Sequence, residues 1–127
     1  MTKYSLLEIL GKEILITGGT GSLGKQIVKT LCENYSPKGI RILSRDELKQ
    51  KQMQKEFSNY KIPIAYLLGD VRDLQRMKLA MTNVDIVIHC AAMKHIDKCQ
   101  NDPIEAIKTN IDGTKNVILA CIENDIK

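Results

Sequence analysis

Four glycines fall within residues 18–24 of the chain, directly after the short apolar run ILIT. This run is rich in β-branched residues, which predicts a buried β-strand over Glu13–Thr17. A helix is expected to begin inside the glycine segment and to run to about Tyr35. Its apolar stripe comprises Leu23, Ile27, Val28, Leu31 and Cys32. A strand joined to a helix by such a turn constrains the fold more than any other feature, because it predicts a βα unit.

The alternation of apolar runs and amphipathic segments continues along the chain. Further strands are predicted at 40–43, 62–68 and 84–89, and helices at 48–57 and 74–81, with Asp73 as the N-cap of the latter. A last helix is predicted over 103–123, with one apolar stripe made of Ile104, Ile107, Ile111, Val117, Ile118 and Cys121. Four strands alternating with four helices indicate an α/β fold with a doubly wound parallel sheet, in the order 3-2-1-4.

Composition narrows the class of protein. The 127 residues are 43% hydrophobic, which fits one domain over 1–127 with a single core. No signal peptide or membrane anchor is predicted, so a cytoplasmic location is expected.

The four cysteines lack CxxC spacing, and His89 and His95 lack a third ligand nearby, so neither a disulfide nor a metal site is predicted. A net charge of +4 suits an anionic ligand, but few aromatic residues argue against nucleic-acid binding.

Gly18, Gly21 and Gly24 form the pattern TGxxGxxG between the predicted strand and helix. In that context, glycines permit a tight turn and let backbone N–H groups approach a pyrophosphate, whose charge the helix N-terminus favours. The alternative is a glycine turn with a structural role alone. We interpret the segment as a dinucleotide-binding fingerprint.

The end of the second predicted strand reads ILSRDELK, where an Asp or Glu would accept a hydrogen bond from the ribose of NAD. Ser44 and Arg45 stand there instead, and a guanidinium can pair with a 2′-phosphate that a carboxylate would repel. Lys49, about one helical turn further on, can add a second cation. The sequence therefore predicts NADP as the cofactor. In the alternative, the two cations are ordinary surface charges and Asp46 binds the ribose.

Two more segments follow the third and fourth predicted strands. In LLGDVRD, Asp70 and Val71 are placed to border the adenine, although Asp70 can instead cap the next turn. In HCAAMKH, the small residues Cys90 and Ala91 allow a ribose or nicotinamide to lie close to the backbone, and Lys94 adds a cation. Ligands bind outside the carboxyl ends of the strands in open parallel sheets, where all these segments are expected to lie.

The segments TGGTGSLG, SRDELK, GDVRD, HCAAMKH and DPIEAIKTNIDGTKNV together resemble the extended short-chain dehydrogenase/reductases. Within them, the chain resembles the UDP-N-acetylglucosamine 4,6-dehydratases of the CapD-like polysaccharide-biosynthesis group, and the likeness spans nearly its whole length. The resemblance implies a Rossmann fold and an NADP-dependent lyase. Such enzymes oxidise the sugar of the nucleotide-sugar substrate at C4, eliminate water across C5 and C6, and return the hydride to C6.

The resemblance also assigns roles to residues after each strand. The pyrophosphate is expected at Thr20, Gly21, Ser22 and Leu23, between Gly18 and Gly24. The 2′-phosphate and ribose are expected at Ser44, Arg45, Asp46, Glu47, Leu48 and Lys49, and the adenine at Asp70 and Val71. The nicotinamide end is expected at Cys90, Ala91 and Lys94. Lys94 also reaches the substrate in that family, and Asn110 matches a residue that supports the active site.

The Tyr-xxx-Lys pair of that family, in which the lysine lowers the tyrosine pKa, is absent from the sequence. The residues four places after Tyr4, Tyr35, Tyr60 and Tyr66 are Glu8, Gly39, Ile64 and Asp70. No catalytic residue is therefore expected here, and the chain is interpreted as the N-terminal cofactor-binding half of a longer enzyme. The alternatives are a non-catalytic NADP-binding sensor or regulatory module, and another extended epimerase or dehydratase. An open edge at the fourth strand predicts a homo-oligomer.

Overall fold

The computed structural model describes residues 9–91, 104 and 108–126. Its four strands are β1 (Glu13–Thr17), β2 (Gly39–Ser44), β3 (Ile64–Leu68) and β4 (Ile86–His89). Its helices are α1 (Ser22–Asn34), α2 (Glu47–Glu56), α3 (Leu74–Ala80) and α4 (Gly113–Glu123), and a π-helical turn over Lys108–Asp112 precedes α4. The strands are parallel and lie in the order β3-β2-β1-β4, which confirms the predicted α/β sheet.

The strand register brings the carboxyl ends of the strands to one edge of the sheet. At the end of β1, Thr17 pairs with Leu43 of β2 on one side and with His89 of β4 on the other. The pairing continues into the loops, because Gly18 N donates to Leu43 O at 2.8 Å and Cys90 N donates to Thr17 O at 2.9 Å. The loops that carry the predicted site residues therefore begin side by side.

Apolar side chains cover both faces of the sheet. With α1 and α2, one face forms a core of Ile14, Ile16, Val28, Leu31, Tyr35, Ile40, Ile42 and Met53. With α3 and α4, the other face forms a core of Leu15, Leu43, Val71, Met77, Ala80, Met81, Val84, Val117 and Ala120. Burying each large apolar side chain contributes about 1.5 to 3 kcal/mol. The central strand β1 is buried on both sides, as its continuous apolar run requires.

The strand and helix boundaries follow the predictions closely, with local differences. The strand predicted from residue 62 begins at Ile64, because Pro63 has no N–H and takes part only through its carbonyl, which accepts from Ile40 N at 2.9 Å. The strand predicted from residue 84 begins at Ile86, because Val84 N donates back to Met81 O at 3.0 Å and closes the turn after α3. Asp73 caps α3 as predicted, accepting from Arg76 N.

The single apolar stripe predicted for the last helix is wrong. Val117 is buried in the core and Cys121 is half-buried against it, whereas other members of the stripe are more than half exposed, namely Ile104, Ile111 and Ile118. The buried face of α4 is formed by Gly113, Val117 and Ala120, and Ile118 lies about 100° around the helix from Val117, outside that face. Ile107 lies outside the described residues. Leu23, predicted for the α1 stripe, is also more than half exposed, because the buried face of α1 is formed by Gly24, Val28 and Leu31 and Leu23 lies beside it. No helix in 9–91 or 108–126 is long and apolar enough to span a bilayer.

Gly24 lies against the backbone of the turn that precedes α1. A Cβ atom at Gly24 would lie 2.5 Å from Gly19 Cα and 2.6 Å from Gly18 O, and backbone atoms cannot move aside as a flexible side chain does. A Cβ atom at Gly21 would lie 3.4 Å from Gly18 O, and Gly21 has a φ of −76° that any residue can adopt. A methyl group at Gly24 would therefore collide with backbone, whereas one at Gly21 would not.

We expect Gly24→Ala to lower the free energy of unfolding by roughly 1 to 3 kcal/mol, the usual cost of overpacking. Gly21→Ala is the matched control and is expected to change it by less than about 1 kcal/mol. Urea denaturation of both variants measures the difference. An equal loss in the two variants would contradict the packing described for Gly24.

Candidate functional site

The turn between β1 and α1 presents backbone N–H groups at the carboxyl edge of the sheet. Gly21 N donates to Gly18 O at 3.1 Å, which closes the turn. Gly21 then occupies the N-cap of α1, where it has no side chain to accept from the first helical N–H groups, and the first turn contains no acidic residue. An uncapped helix N-terminus carries partial positive charge and attracts anions. Of the predicted pyrophosphate residues, Thr20 is buried, whereas Ser22 and Leu23 are exposed.

The same turn also contacts the end of β4. Gly18 has a φ of +66°, and a Cβ atom there would lie 2.7 Å from Ala91 N and 2.8 Å from Cys90 C. Only glycine permits both the left-handed backbone and this approach. The structure thus brings the predicted pyrophosphate and nicotinamide residues next to each other. Lys94 lies outside the described residues.

The end of β2 is tied to α2 and β3 by a buried amide. Ser44 is 8% exposed, and its hydroxyl accepts a hydrogen bond from Gln50 Nε2 at 2.9 Å. Gln50 Nε2 also donates to Leu67 O at 2.7 Å. The Ser44 hydroxyl is therefore engaged within the protein. Sequence reasoning missed Gln50, although its place three residues before the buried Met53 puts it on the buried face of α2.

Charged residues around the start of α2 lie at the surface. Arg45 is about half exposed, and its Nη1 lies 3.8 Å from Asp70 Oδ2. Asp46 is the N-cap of α2, and its Oδ1 accepts from Lys49 N at 3.1 Å, so this carboxylate already has a structural role. The remaining predicted residues of this segment, Glu47, Leu48 and Lys49, are exposed. The structure therefore brings Arg45 and Asp70 together from neighbouring strand ends.

Asp70, after β3, is held mainly by Arg72. Its Oδ1 accepts from Arg72 N at 2.9 Å, and its Oδ2 accepts from Arg72 Nε at 2.9 Å and Nη2 at 2.6 Å. Partial burial raises the pKa of Asp70, but the hydrogen bonds and charge of Arg72, together with the charge of Arg45, outweigh burial and lower the pKa below its ordinary value. Asp70 is therefore ionised at neutral pH. The bond from Arg72 N shows that Asp70 caps the turn after β3, as the alternative prediction had it, while Asp73 caps α3.

The turn that contains Asp70 is fixed from the other side by α4. Val71 is 5% exposed and its side chain packs in the core of α3 and α4, so its backbone rather than its side chain is available at the strand end. Asn116 Nδ2 donates to Val71 O at 3.0 Å and to Arg72 O at 2.9 Å. Sequence reasoning missed both Asn116 and Arg72 as parts of this edge. The only sequence signal for Arg72 was its place two residues after Asp70.

Hydrogen bonds through His89 connect the ends of β1 and β4 to α4. Thr17 Oγ1 lies 2.6 Å from His89 Nδ1, and His89 Nε2 lies 3.1 Å from Thr114 Oγ1. Partial burial lowers the pKa of His89, so the ring is neutral at pH 7. Cys90 and Ala91 are half-buried beside it, and Asn110 is exposed but contributes its carbonyl, which accepts from Thr114 Oγ1. Sequence reasoning had left His89 without a role.

The open parallel sheet with a glycine turn, a helix N-terminus and charged loops at one carboxyl edge defines the Rossmann class of fold. The family model for "Polysaccharide biosynthesis protein" matches residues 14–127, and the chain belongs to that family.

Two curated relatives show what the chain resembles. It is 56% identical over 117 residues to a UDP-N-acetylglucosamine 4,6-dehydratase (inverting) from Campylobacter jejuni subsp. jejuni serotype O:23/36 (strain 81-176), covering 92% of this chain and 34% of the relative. It is 42% identical over 118 residues to a UDP-glucose 4-epimerase from Rickettsia canadensis (strain McKiel), covering 91% of this chain and 34% of the relative. The chain therefore spans about a third of the length of these relatives.

Solved structures share the fold. Pen from Bacillus thuringiensis superposes with a TM-score of 0.88 at 44% identity, over 94% of this chain and 36% of that one. A double mutant of DesIV, a dTDP-glucose 4,6-dehydratase from Streptomyces venezuelae solved with NAD and DAU bound, superposes with a TM-score of 0.77 at 20% identity. That likeness covers 89% of this chain and 36% of DesIV, and it shows the fold alone.

Proposed function

We propose that the chain is the NADP-binding portion of a cytoplasmic nucleotide-sugar 4,6-dehydratase that acts on UDP-N-acetylglucosamine in polysaccharide biosynthesis. The observation that carries the proposal is the uncapped N-terminus of α1 behind the glycine turn, beside Arg45 at the neighbouring strand end. The 56% identity to a UDP-N-acetylglucosamine 4,6-dehydratase supports the choice of reaction and substrate. The fold is also that of DesIV, whose structure was solved with NAD.

The glycine turn fits a pyrophosphate. At Gly21 there is no side chain between the turn and the first N–H groups of α1, so an anion can approach the backbone closely. The absence of acidic residues from the first turn of α1 removes a source of repulsion. Ser22 and Leu23 contribute their N–H groups in this proposal, while Gly18 and Gly24 hold the turn against its neighbours.

The ends of β2 and β3 fit an adenosine that carries a 2′-phosphate. Arg45 is exposed enough to contact a ligand and offers a planar set of donors to a phosphate. Arg72 already donates hydrogen bonds to the Asp70 carboxylate. If Arg45 binds a phosphate instead of Asp70, the carboxylate therefore keeps a charged partner. Lys49 is exposed at the start of α2 and supplies a second cation in this proposal.

The end of β4 is proposed to border the nicotinamide, which when bound supplies the hydride acceptor and donor. Cys90 and Ala91 have small side chains, so in this proposal the nicotinamide can lie close to the backbone. Lys94 is proposed to contact the sugar. The sequence contains no tyrosine followed four residues later by lysine, so the base that deprotonates the sugar hydroxyl is not supplied by residues 1–127.

A nucleotide-sugar 4-epimerase is the second candidate, because a UDP-glucose 4-epimerase is 42% identical over 118 residues. Both reactions begin with removal of hydride from C4 of the sugar. They differ in the product, since an epimerase returns the hydride to C4 and keeps the C6 hydroxyl. The product therefore distinguishes the two candidates.

Arg45→Ala tests the cofactor. We expect the unaltered chain to bind NADP more tightly than NAD, and the variant to lose most of that preference, about 1 to 3 kcal/mol, because a charge-assisted contact is removed. Calorimetric titration with both cofactors measures the difference. Lys55→Ala is the matched control, since it removes the same charge from the last turn of α2 and should keep the preference. Equal affinity of the unaltered chain for both cofactors would exclude NADP specificity.

The activity test compares this chain with a longer protein that adds a Tyr-xxx-Lys segment. The 127-residue chain with NADP and UDP-N-acetylglucosamine is expected to give no keto sugar, because it lacks the Tyr-xxx-Lys base. Acid–base catalysis alone accelerates a reaction by a factor of about 100 to 10,000. The longer protein is expected to yield a 4-keto-6-deoxy sugar nucleotide by mass spectrometry, without net consumption of NADP. In the longer protein, Lys94→Ala should reduce turnover more than cofactor affinity, because Lys94 is proposed to contact the sugar. A C4 epimer would favour the epimerase, and no product would favour the sensor.

Self-association of the chain is also expected. On the side away from β1, β4 has no strand partner among the described residues, and its unpaired backbone groups can pair with another copy. Sedimentation velocity at micromolar concentration should therefore detect dimers or larger species. A strictly monomeric chain with ordinary thermal stability would show that another segment covers this edge.

A further inference from the structure

A continuous chain of hydrogen bonds runs from β1 through β4 to the residues before α4. Thr17 Oγ1 and His89 Nδ1 are 2.6 Å apart, and His89 Nε2 and Thr114 Oγ1 are 3.1 Å apart. Thr114 Oγ1 in turn donates to Asn110 O at 2.8 Å. The proposed function gives no role to Thr17, His89 or Thr114.

The Thr17 hydroxyl also holds the backbone after β4. Its oxygen accepts from Cys90 N at 3.1 Å and from Ala91 N at 3.3 Å. A hydroxyl oxygen has two lone pairs and one hydrogen. The Cys90 N–H is shared with Thr17 O at 2.9 Å, but both amides approach the lone-pair side of the hydroxyl, so its hydrogen is left for His89 Nδ1, which then acts as the acceptor.

The other end of the chain gives the same assignment. The single hydrogen of the Thr114 hydroxyl goes to Asn110 O, so its oxygen must accept from His89 Nε2. The opposite tautomer would direct an Nδ1–H group at a Thr17 oxygen that two amides already approach, and would leave two acceptors, His89 Nε2 and Asn110 O, for the one Thr114 hydrogen. Only the neutral ring with hydrogen on Nε2 satisfies every contact.

We infer that His89 is a positioning residue, whose Nε2–H tautomer orients the Thr17 hydroxyl and thereby holds the Cys90 and Ala91 amides in place. The inference rests on the proposed function in one respect, namely that these amides border the nicotinamide end of NADP. The position of this backbone matters because Gly18 is packed against it, with Ala91 N only 2.7 Å from where a Gly18 Cβ would lie. A shift of the two amides would therefore move the backbone that lies between the proposed pyrophosphate and nicotinamide regions.

The wild-type chain tests the tautomer directly. Long-range ¹H–¹⁵N spectra of the ¹⁵N-labelled protein at pH 7.5 separate protonated from unprotonated ring nitrogens. The chain has only two histidines, so His95→Gln assigns the signals of His89. We expect an unprotonated Nδ1 and a protonated Nε2, without cofactor. A ring protonated at Nδ1, or a mixture of the two tautomers, would overturn the inference.

A pair of substitutions separates the two halves of the hydrogen-bond chain. In His89→Asn, the Oδ1 atom can stand near the place of Nδ1 and accept from Thr17. In His89→Gln, the amide can reach towards Thr114, but no acceptor remains for Thr17. Calorimetry should show NADP affinity within about threefold of wild type for the Asn variant and roughly five- to tenfold weaker for the Gln variant, as for the loss of one hydrogen bond.

Thr17→Val removes the hydroxyl itself and should weaken NADP binding as much as His89→Gln does. The double variant should be no weaker than either single variant, because both act through the same hydroxyl. Additive losses, or equal affinities in the Asn and Gln variants, would contradict a positioning role. If the unaltered chain binds no NADP, the proposed function fails, while the ¹⁵N spectra still decide the tautomer of His89.

Discussion

The approach of α1 to the turn before it is the constraint on which the edge of the sheet depends. Gly24 lies so close to Gly18 O and Gly19 Cα that a single methyl group would collide with backbone. On its other side, Gly18 touches the backbone of Ala91 after β4. The glycine turn is thus held between a helix and a strand end. Its backbone N–H groups are fixed at the sheet edge before any ligand arrives, which reduces the entropic cost of binding.

The charges at this edge differ in how tightly they are held. The Arg45–Asp70 pair is 3.8 Å long, with Arg45 about half exposed, and such surface pairs contribute about 0 to 1 kcal/mol. A hydrogen bond to a charged group contributes roughly 1.5 to 3 kcal/mol, so an anionic ligand can compete successfully for Arg45. Asp70 keeps its shorter contacts with Arg72 during such an exchange. In the proposed function, Arg45 is therefore the cation that a phosphate would engage, whereas Arg72 would stay with Asp70.

The fold was predictable from the sequence because the strands are mainly apolar runs and the turns before the first three helices contain glycine or a capping residue, namely Gly21, Asp46 and Asp73. The order of the strands needed the analogy with doubly wound sheets, and it is correct. The apolar stripe predicted for the last helix is too wide, because the face that packs on the sheet is formed by Gly113, Val117 and Ala120, and Ile118 lies about 100° around the helix from Val117. Gly113 and Ala120 have little or no apolar side chain, so the buried face gives a weaker sequence signal than the isoleucines beside it.

Three of the polar residues that sequence reasoning missed act on backbone atoms of the strand ends, directly or through one hydroxyl. Gln50 donates to Leu67 O, Asn116 donates to Val71 O, and His89 acts on the Cys90 amide through Thr17. Each lies in, or contacts, a helix packed on the sheet, so its role arises from tertiary contacts and not from spacing along the chain. The glycines and charged residues can be read from the sequence because their type and their place after each strand already indicate a tight turn or an anion-binding group. The side chains that hold the loops in place become visible only when the helices are packed against the sheet.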